Sequence, residues 1–344
     1  MATLGKAGLI EALFSESTFG LQQARRGSAR ATVGNGNALG GAPVPDYEDA
    51  DLAYVLPISL VAELPSWKGA NFVRLGGALT AGDGIGANAL DNEARVGRVM
   101  LQFLHAPRPD LLFGVGVVYD NSRIETIDNA AAFRGKVVTA REGFGFQALY
   151  AQDFAGPWAA MAKAEWQTGT QNLDYELGVA PGVQLEFEQN DQGDDQFYFE
   201  GQLVGSYTHD DISLVPQGWI GRPVLGVTYQ HNSIEEVVNT LGATVSGPNG
   251  DAEDYGMVFA RIGVERAMMP TPDLQFLPKL SAGLDLEYTN SLDTYIDEPV
   301  YGVISAGLGI TSHGQRLDLS YTLHQGLSGK RQQQSIVAST TINF

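Results

Sequence analysis

Period 2 governs this chain. From about residue 50 onward, apolar side chains recur at every second position in one run after another. Leu52, Tyr54, Leu56, Ile58, Leu60 and Ala62 share one face of an extended segment. Leu111, Phe113, Val115, Val117 and Tyr119 repeat the pattern, followed by Phe144, Phe146, Ala148 and Tyr150. Trp158, Ala160, Ala162, Ala164 and Trp166 do so again, then Leu280, Ala282, Leu284, Leu286 and Tyr288. Successive side chains point to opposite faces of a strand, so this alternation specifies strands with one apolar face. Many runs span roughly 9–13 residues, longer than the usual soluble strand of about 5–6 and close to the 9–11 tilted residues that cross a bilayer core.

Rings sit near the run ends. Trp67, Trp158, Trp166 and Trp219, with Tyr119, Tyr150, Tyr207, Tyr229 and Tyr288, have the spacing of two interfacial girdles. A soluble β-sandwich with edge aromatics is the competing reading, but soluble sheets rarely need so many strands of this length. The connections alternate between short (64–70, 105–109, 154–157, 267–273, 312–315) and long (81–92, 121–140, 168–195, 232–253, 289–298, 325–332). Outer-membrane barrels have this asymmetry. The expected fold is therefore all-β: a closed antiparallel transmembrane β-barrel over residues 27–344. About 14 strands are expected, with 12–16 as the range, counting one near 27–35. An extra hairpin around Ala180-Pro181-Gly182 would bring the count to 16.

Composition narrows the function. The chain carries 40 acidic and 21 basic residues, a net charge of −19, and no cysteine. Binding a polyphosphate needs a basic face, so a nucleic-acid partner is excluded. Disulfides, zinc–thiolate sites and thiol nucleophiles are excluded as well. No 18-residue apolar run exists to form a membrane helix. Residues 1–26 read differently from the rest: Leu9/Leu13 and Ile10/Phe14 stand at i,i+4, a helical spacing. A lumen plug or helix, a periplasmic segment and a first strand all fit them. They lack signal-peptide features, so the chain reads as a mature protein with an added Met1.

The chain ends on Phe344, at the close of the alternating run Ile336, Ala338, Thr340, Ile342. A terminal aromatic of this kind resembles the C-terminal signal of bacterial outer-membrane proteins. That resemblance implies a Gram-negative-type outer membrane, recognition by the barrel assembly machinery, and contact with outer-membrane lipid and lipopolysaccharide. The last two strands, with Gly326, Ser328, Gly329 and Lys330 between them, also resemble a solitary autotransporter-type translocator without passenger. Such translocators have 12 strands. Fatty-acid transporter barrels have 14 and a plug, but no Asn-Pro-Ala element of theirs occurs here.

In-strand charges are expected to face the lumen, because Arg or Lys facing lipid at mid-depth costs roughly 2–4 kcal/mol. These are Arg74, Arg98, Lys163, Glu165, Glu200 and Arg261, with Glu265 and Asp318. The remaining acidic groups, around 186–200, 235–254 and 285–298, read as solvated loop and strand-end charges. No EF-hand or other metal spacing occurs, and no cofactor is called for. Gly34–Gly41 and Gly82-Asp83-Gly84-Ile85-Gly86 read as loop tips rather than phosphate loops.

One spacing suggests catalysis. His231 and Ser233 stand at i,i+2 and so share a strand face, where the imidazole could act as general base for the hydroxyl. The spacing resembles that of outer-membrane lipid A deacylases and, more loosely, the membrane phospholipase. Glu235 or Glu236 would then orient the histidine. Three functions remain in view: a passive pore or transporter carrying a small solute, an outer-leaflet lipid hydrolase, and a non-conducting scaffold bound by a partner. The sequence leaves the oligomeric state undetermined.

Overall fold

A computed structural model describes residues 49–65, 69–86, 90–128, 135–154, 156–180, 182–246, 252–291, 298–313, 315–329 and 331–343. Residues 1–48, with the strand expected near 27–35 and the helical N-terminal segment, lie outside that set, as do Trp67 and Phe344. Sixteen strands are described: β1 (Asp49–Leu64), β2 (Ala70–Gly86), β3 (Leu90–Arg108), β4 (Leu111–Asp128), β5 (Gly135–Asp153), β6 (Trp158–Ala180), β7 (Val183–Gly205) and β8 (Ile220–Ile234). The short β9 (Val237–Val238) and β10 (Thr244–Val245) follow, then β11 (Ala252–Glu265), β12 (Met268–Thr271), β13 (Leu274–Asn290), β14 (Val300–Ser312), β15 (Gln315–Gly326) and β16 (Arg331–Asn343).

The main sheet has 14 strands. The four-residue β12 carries β11 onward beside β13, so thirteen strands make the wall. β11 pairs both β8 and β13, and β1 pairs both β2 and β16, which closes the ring. The closure departs from the antiparallel barrel expected. Neighbours that follow one another up and down in an odd ring must meet at one seam running the same way. That seam is β1–β16, which is parallel, with Tyr54 opposite Ile336 and Ile58 opposite Thr340.

Three of the segments read as long connections, 81–92, 121–140 and 168–195, are mostly strand. Residues 173–179 and 183–188 do pair, and Gly182, with φ +73°, lies between them. They lengthen β6 and β7 to 23 residues each instead of adding a hairpin to the ring. Likewise β2 runs to Gly86 and β4 to Asp128. Apolar alternation ends where lipid ends, but backbone pairing does not, because strands above the membrane still satisfy their N–H and C=O groups in the ladder. The taller edge is called here the extended rim and the opposite edge the turn rim.

The turn rim holds one long connection, 206–219, between β7 and β8. It is folded by its own bonds. The Thr208 backbone N–H and hydroxyl both donate to the Asp211 carboxylate (2.9 and 2.8 Å). Those two donors, the backbone one first, hold the Asp211 carboxyl below the usual range. His209 Nδ1 lies 2.7 Å from the Val215 carbonyl oxygen.

Two strand glycines are required by rings on the next strand. A Cβ on Gly226 would lie 2.1 Å from Cζ of Phe259, its cross-strand partner, and one on Gly256 would lie 2.3 Å from Cζ of Tyr288. Phe259 lies on the inner face and Tyr288 on the outer. The missing side chain lets each ring lie flat against the wall.

Candidate functional site in the barrel lumen

Contacts between strands that are not neighbours fix which face is inside. Arg98 on β3 bonds Glu165 on β6, and Arg141 on β5 bonds Asp194 on β7 (2.8 Å). Strands two or three places apart can touch only across a concave face. Every in-strand charge singled out from the sequence projects into that face. Arg74, 1% exposed, donates to Ser59 Oγ (2.6 Å) and Gln102 Oε1 (2.9 Å). Lys163 Nζ lies 5.2 Å from the centroid of the Tyr198 ring, and Tyr198 donates to Glu200 (2.8 Å). Arg261 donates to both oxygens of Asp285 (3.1 and 2.6 Å) and covers the Phe259 ring at 4.8 Å. Arg222 pairs with Glu265, and Lys279 and Arg316 with Asp318.

Sequence reasoning keyed on charge and missed the amides. Gln102 donates to Gln147 (2.6 Å), Gln147 and Gln167 both donate to Glu165, and Gln189 donates to Gln192 (2.7 Å). All of them are buried. Their signal was in the text: they fall on the polar phase of strands whose other phase is apolar. Several carboxylates read as solvated surface are also internal. Asp194, Glu253, Asp285 and Glu287 are all buried. Charged groups can be kept there because Arg141, Arg98 and Arg261 neutralise some of them and amides and tyrosines bond others.

The lumen is unevenly filled. Along β2–β6 near the turn rim it is apolar and packed, with Leu104, Leu112, Leu149 and Met161 in one buried cluster. Along β8, β11 and β13–β15 the inward groups nearer the turn rim are partly exposed, among them Arg222, Ser281, Ser305, Ser320 and Thr322. A cavity of about 430 Å³ opens there, between Met161 and Val204 on one side and Ser305 and Ser320 on the other.

The outer face has the opposite chemistry. Leu79, Val115, Val117, Ile262 and Ile304 are each 48–68% exposed and all point outward. Rings bound this apolar band. Near the turn rim stand Phe113 and Tyr150, paired across β4 and β5, and Trp158, which meets Tyr207 edge-on at 6.0 Å. Trp219, half-buried, precedes β8 at the same rim. Toward the extended rim Phe146, Trp166, Phe197 and His231 form one cross-strand row. Trp158 and Trp166 are eight residues apart on β6, roughly 27 Å along the strand. A closed ring, apolar outside between two rows of rings and polar inside, is stable only in a bilayer. The chain is a transmembrane β-barrel.

On the outer face of the barrel, His231 has a partner that no local spacing reveals. Its Nδ1 lies 2.9 Å from Oδ1 of Asp254, the residue opposite it on β11. The Tyr229 hydroxyl donates to the same oxygen (2.6 Å). The carboxylate that meets His231 is therefore Asp254, where Glu235 or Glu236 was expected. Glu235 instead donates its backbone N–H to Gly193 O (2.9 Å). Ser233 is exposed on the same face as His231. No hydrogen bond joins the two side chains among the described residues.

No family model matches the barrel, and no curated protein matches it. Solved structures do. The β domain of the Bordetella autotransporter BrkA is 16% identical, with a TM-score of 0.49 over 70% of this chain and 86% of that one. The translocator domain of autotransporter NalP from Neisseria meningitidis is 12% identical, with a TM-score of 0.45 over 91% and 92%. The Pseudomonas putida toluene transporter TodX is 12% identical, with a TM-score of 0.41 over 83% and 85%.

Proposed function

We propose that the barrel is a passive conduit for small solutes across the outer membrane. The observation that carries this reading is the uneven lumen. A wall of paired charges, serines and threonines stays accessible on β8, β11 and β13–β15, while the opposite wall is packed. A scaffold with no conduit would gain stability by filling both sides with apolar groups, since buried ion pairs are often no better than well-packed hydrophobic residues. The test is single-channel conductance of the full chain in planar bilayers. Discrete openings are expected, and a larger conductance after deletion of residues 1–25 if that segment plugs the lumen. Silence from both proteins would discard the conduit.

A second reading is favoured by Asp254. A carboxylate on His231 Nδ1 leaves Nε2 as the basic nitrogen, the arrangement a serine nucleophile needs. Ser233 Oγ would attack an ester carbonyl of an outer-leaflet lipid, His231 would take the hydroxyl proton and pass it to the leaving alkoxide, and water would then release the acid. The row of Trp166, Phe197 and His231, taken as an interfacial girdle, would hold the pair near the level of lipid ester groups. Purified barrel mixed with lipopolysaccharide should release free acyl chains, and Ser233→Ala should abolish the release. Release that survives the substitution removes Ser233 from the chemistry, and none from the unaltered barrel removes the hydrolase.

A further inference from the structure

The lumen cavity near the turn rim has the composition of a binding site and not only of a passage. Its volume, about 430 Å³, lies in the range of small-molecule sites. In a chain of net charge −19, its lining carries three cations, Arg222, Arg261 and Lys279, against one carboxylate, Glu265. The acidic partners of Arg261 and Lys279, which are Asp285 and Asp318, do not line it. The rest of one side is apolar: Met161, Val204, Val224, Met257 and Phe259. Phe259 is fixed in place, seated on Gly226 and covered by Arg261.

Arg222 supplies the directional element. Its Nε and Nη2 both reach Oε1 of Glu265 (2.7 and 2.5 Å). Its Nη1 is buried and has no hydrogen-bond partner. A buried guanidinium N–H left unpaired costs free energy that an arriving acceptor would recover. Arg222, Glu265 and Lys279 place the cavity near the turn rim, close to the strand ends. Farther toward the extended rim Thr228, Asp285 and Val303 are each at most 2% exposed.

We infer that this vestibule binds an amphipathic monoanion. Its single carboxylate-like head would accept from Arg222 Nη1, and its compact apolar body would lie against Val224, Met257 and Phe259. The inference deepens the conduit reading by giving the solute a chemical class, and rests on that reading for its purpose. Binding itself is measured at equilibrium and does not need conduction.

The test uses the full chain in lipid nanodiscs, with empty discs as the blank, and calorimetric titration with three probes of one shape. These are 4-phenylbutyrate, 4-phenylbutan-1-ol and 4-phenylbutylammonium, each of about a dozen heavy atoms and so small enough for the cavity. Saturable binding of the acid is expected, on the order of tenfold tighter than the alcohol, as one charge-assisted hydrogen bond gives. The ammonium should bind most weakly. Removing the pair together, Arg222→Gln with Glu265→Gln, avoids stranding a carboxylate and should bring acid and alcohol to near equality. Val224→Asn should weaken acid and alcohol alike while keeping their ratio, which provides a second reading if the double variant fails to fold. Equal binding of acid and alcohol by the unaltered barrel overturns the inference. So does an acid preference that survives in the folded double variant, or the absence of saturable binding. Saturable acid binding by a barrel that never conducts would keep the site and discard the conduit.

Discussion

Arg141→Met should be the most damaging single change in the barrel wall. Arg141 Nη1 bonds Asp120 (2.6 Å), and its Nε bonds both oxygens of Asp194 (2.9 and 2.8 Å). Both carboxylates are 3% exposed. Methionine fills similar volume but leaves two buried acids with amide donors, such as Gln196 on Asp194 (3.0 Å), in place of the guanidinium; Arg98, 3.7 Å from Asp120, is already engaged with Glu165. Stranding one partner of a buried pair costs about 3–5 kcal/mol. The expected result is a large fall in the urea midpoint of the folded, fast-migrating form on cold electrophoresis after reconstitution in vesicles. Arg141→Met combined with Asp120→Asn and Asp194→Asn should recover most of the loss, because neutral amides can bond one another. A single variant within about 1 kcal/mol of the parent would mean the triad is solvated rather than buried.

The second large effect separates two adjacent residues. Ile304 on β14 is 62% exposed on the outer face, and Ser305 faces the lumen. Ile304→Arg places a guanidinium in lipid and should cost about 2–4 kcal/mol if the position is near mid-depth. Ser305→Arg, one residue on, places the same group beside water and should cost under about 1 kcal/mol. Parallel unfolding titrations in one lipid would measure both. Equal costs would contradict the assignment of faces. A larger cost at Ser305 would turn the barrel inside out and remove it from the membrane.

The outer face was legible because it is written locally. Leu111 to Tyr119 alternate, and alternation needs no knowledge of any other strand. The polar phase gave Arg74, Arg98 and Lys163 by the same logic. Partners were not legible. Asp254 meets His231 across 23 positions, and Asp194 meets Arg141 across 53. Those distances are set by register, which turn length and ring closure decide together. Heights were misread for a related reason. In residues 168–195 the sequence loses its apolar phase, which looks like a loop, yet Gln171, Gln192 and Asp194 continue the inner row above the bilayer. The seam was beyond reach as well, since parity depends on the total count and one strand more or fewer reverses it.

That parity constrains how such a wall could have arisen. Barrels that grow by copying hairpins change by two strands at a time and always keep an even number. A ring of thirteen cannot be reached by duplication alone; at some step a lone strand was gained or lost. The event also leaves a directional trace. The first described strand begins at Asp49 on the extended rim and the last ends at Asn343 on the turn rim, so these two ends of the wall face opposite sides of the membrane. In an even ring they would share one. A peptide grafted before Asp49 and another grafted after Asn343 would therefore answer to two different compartments.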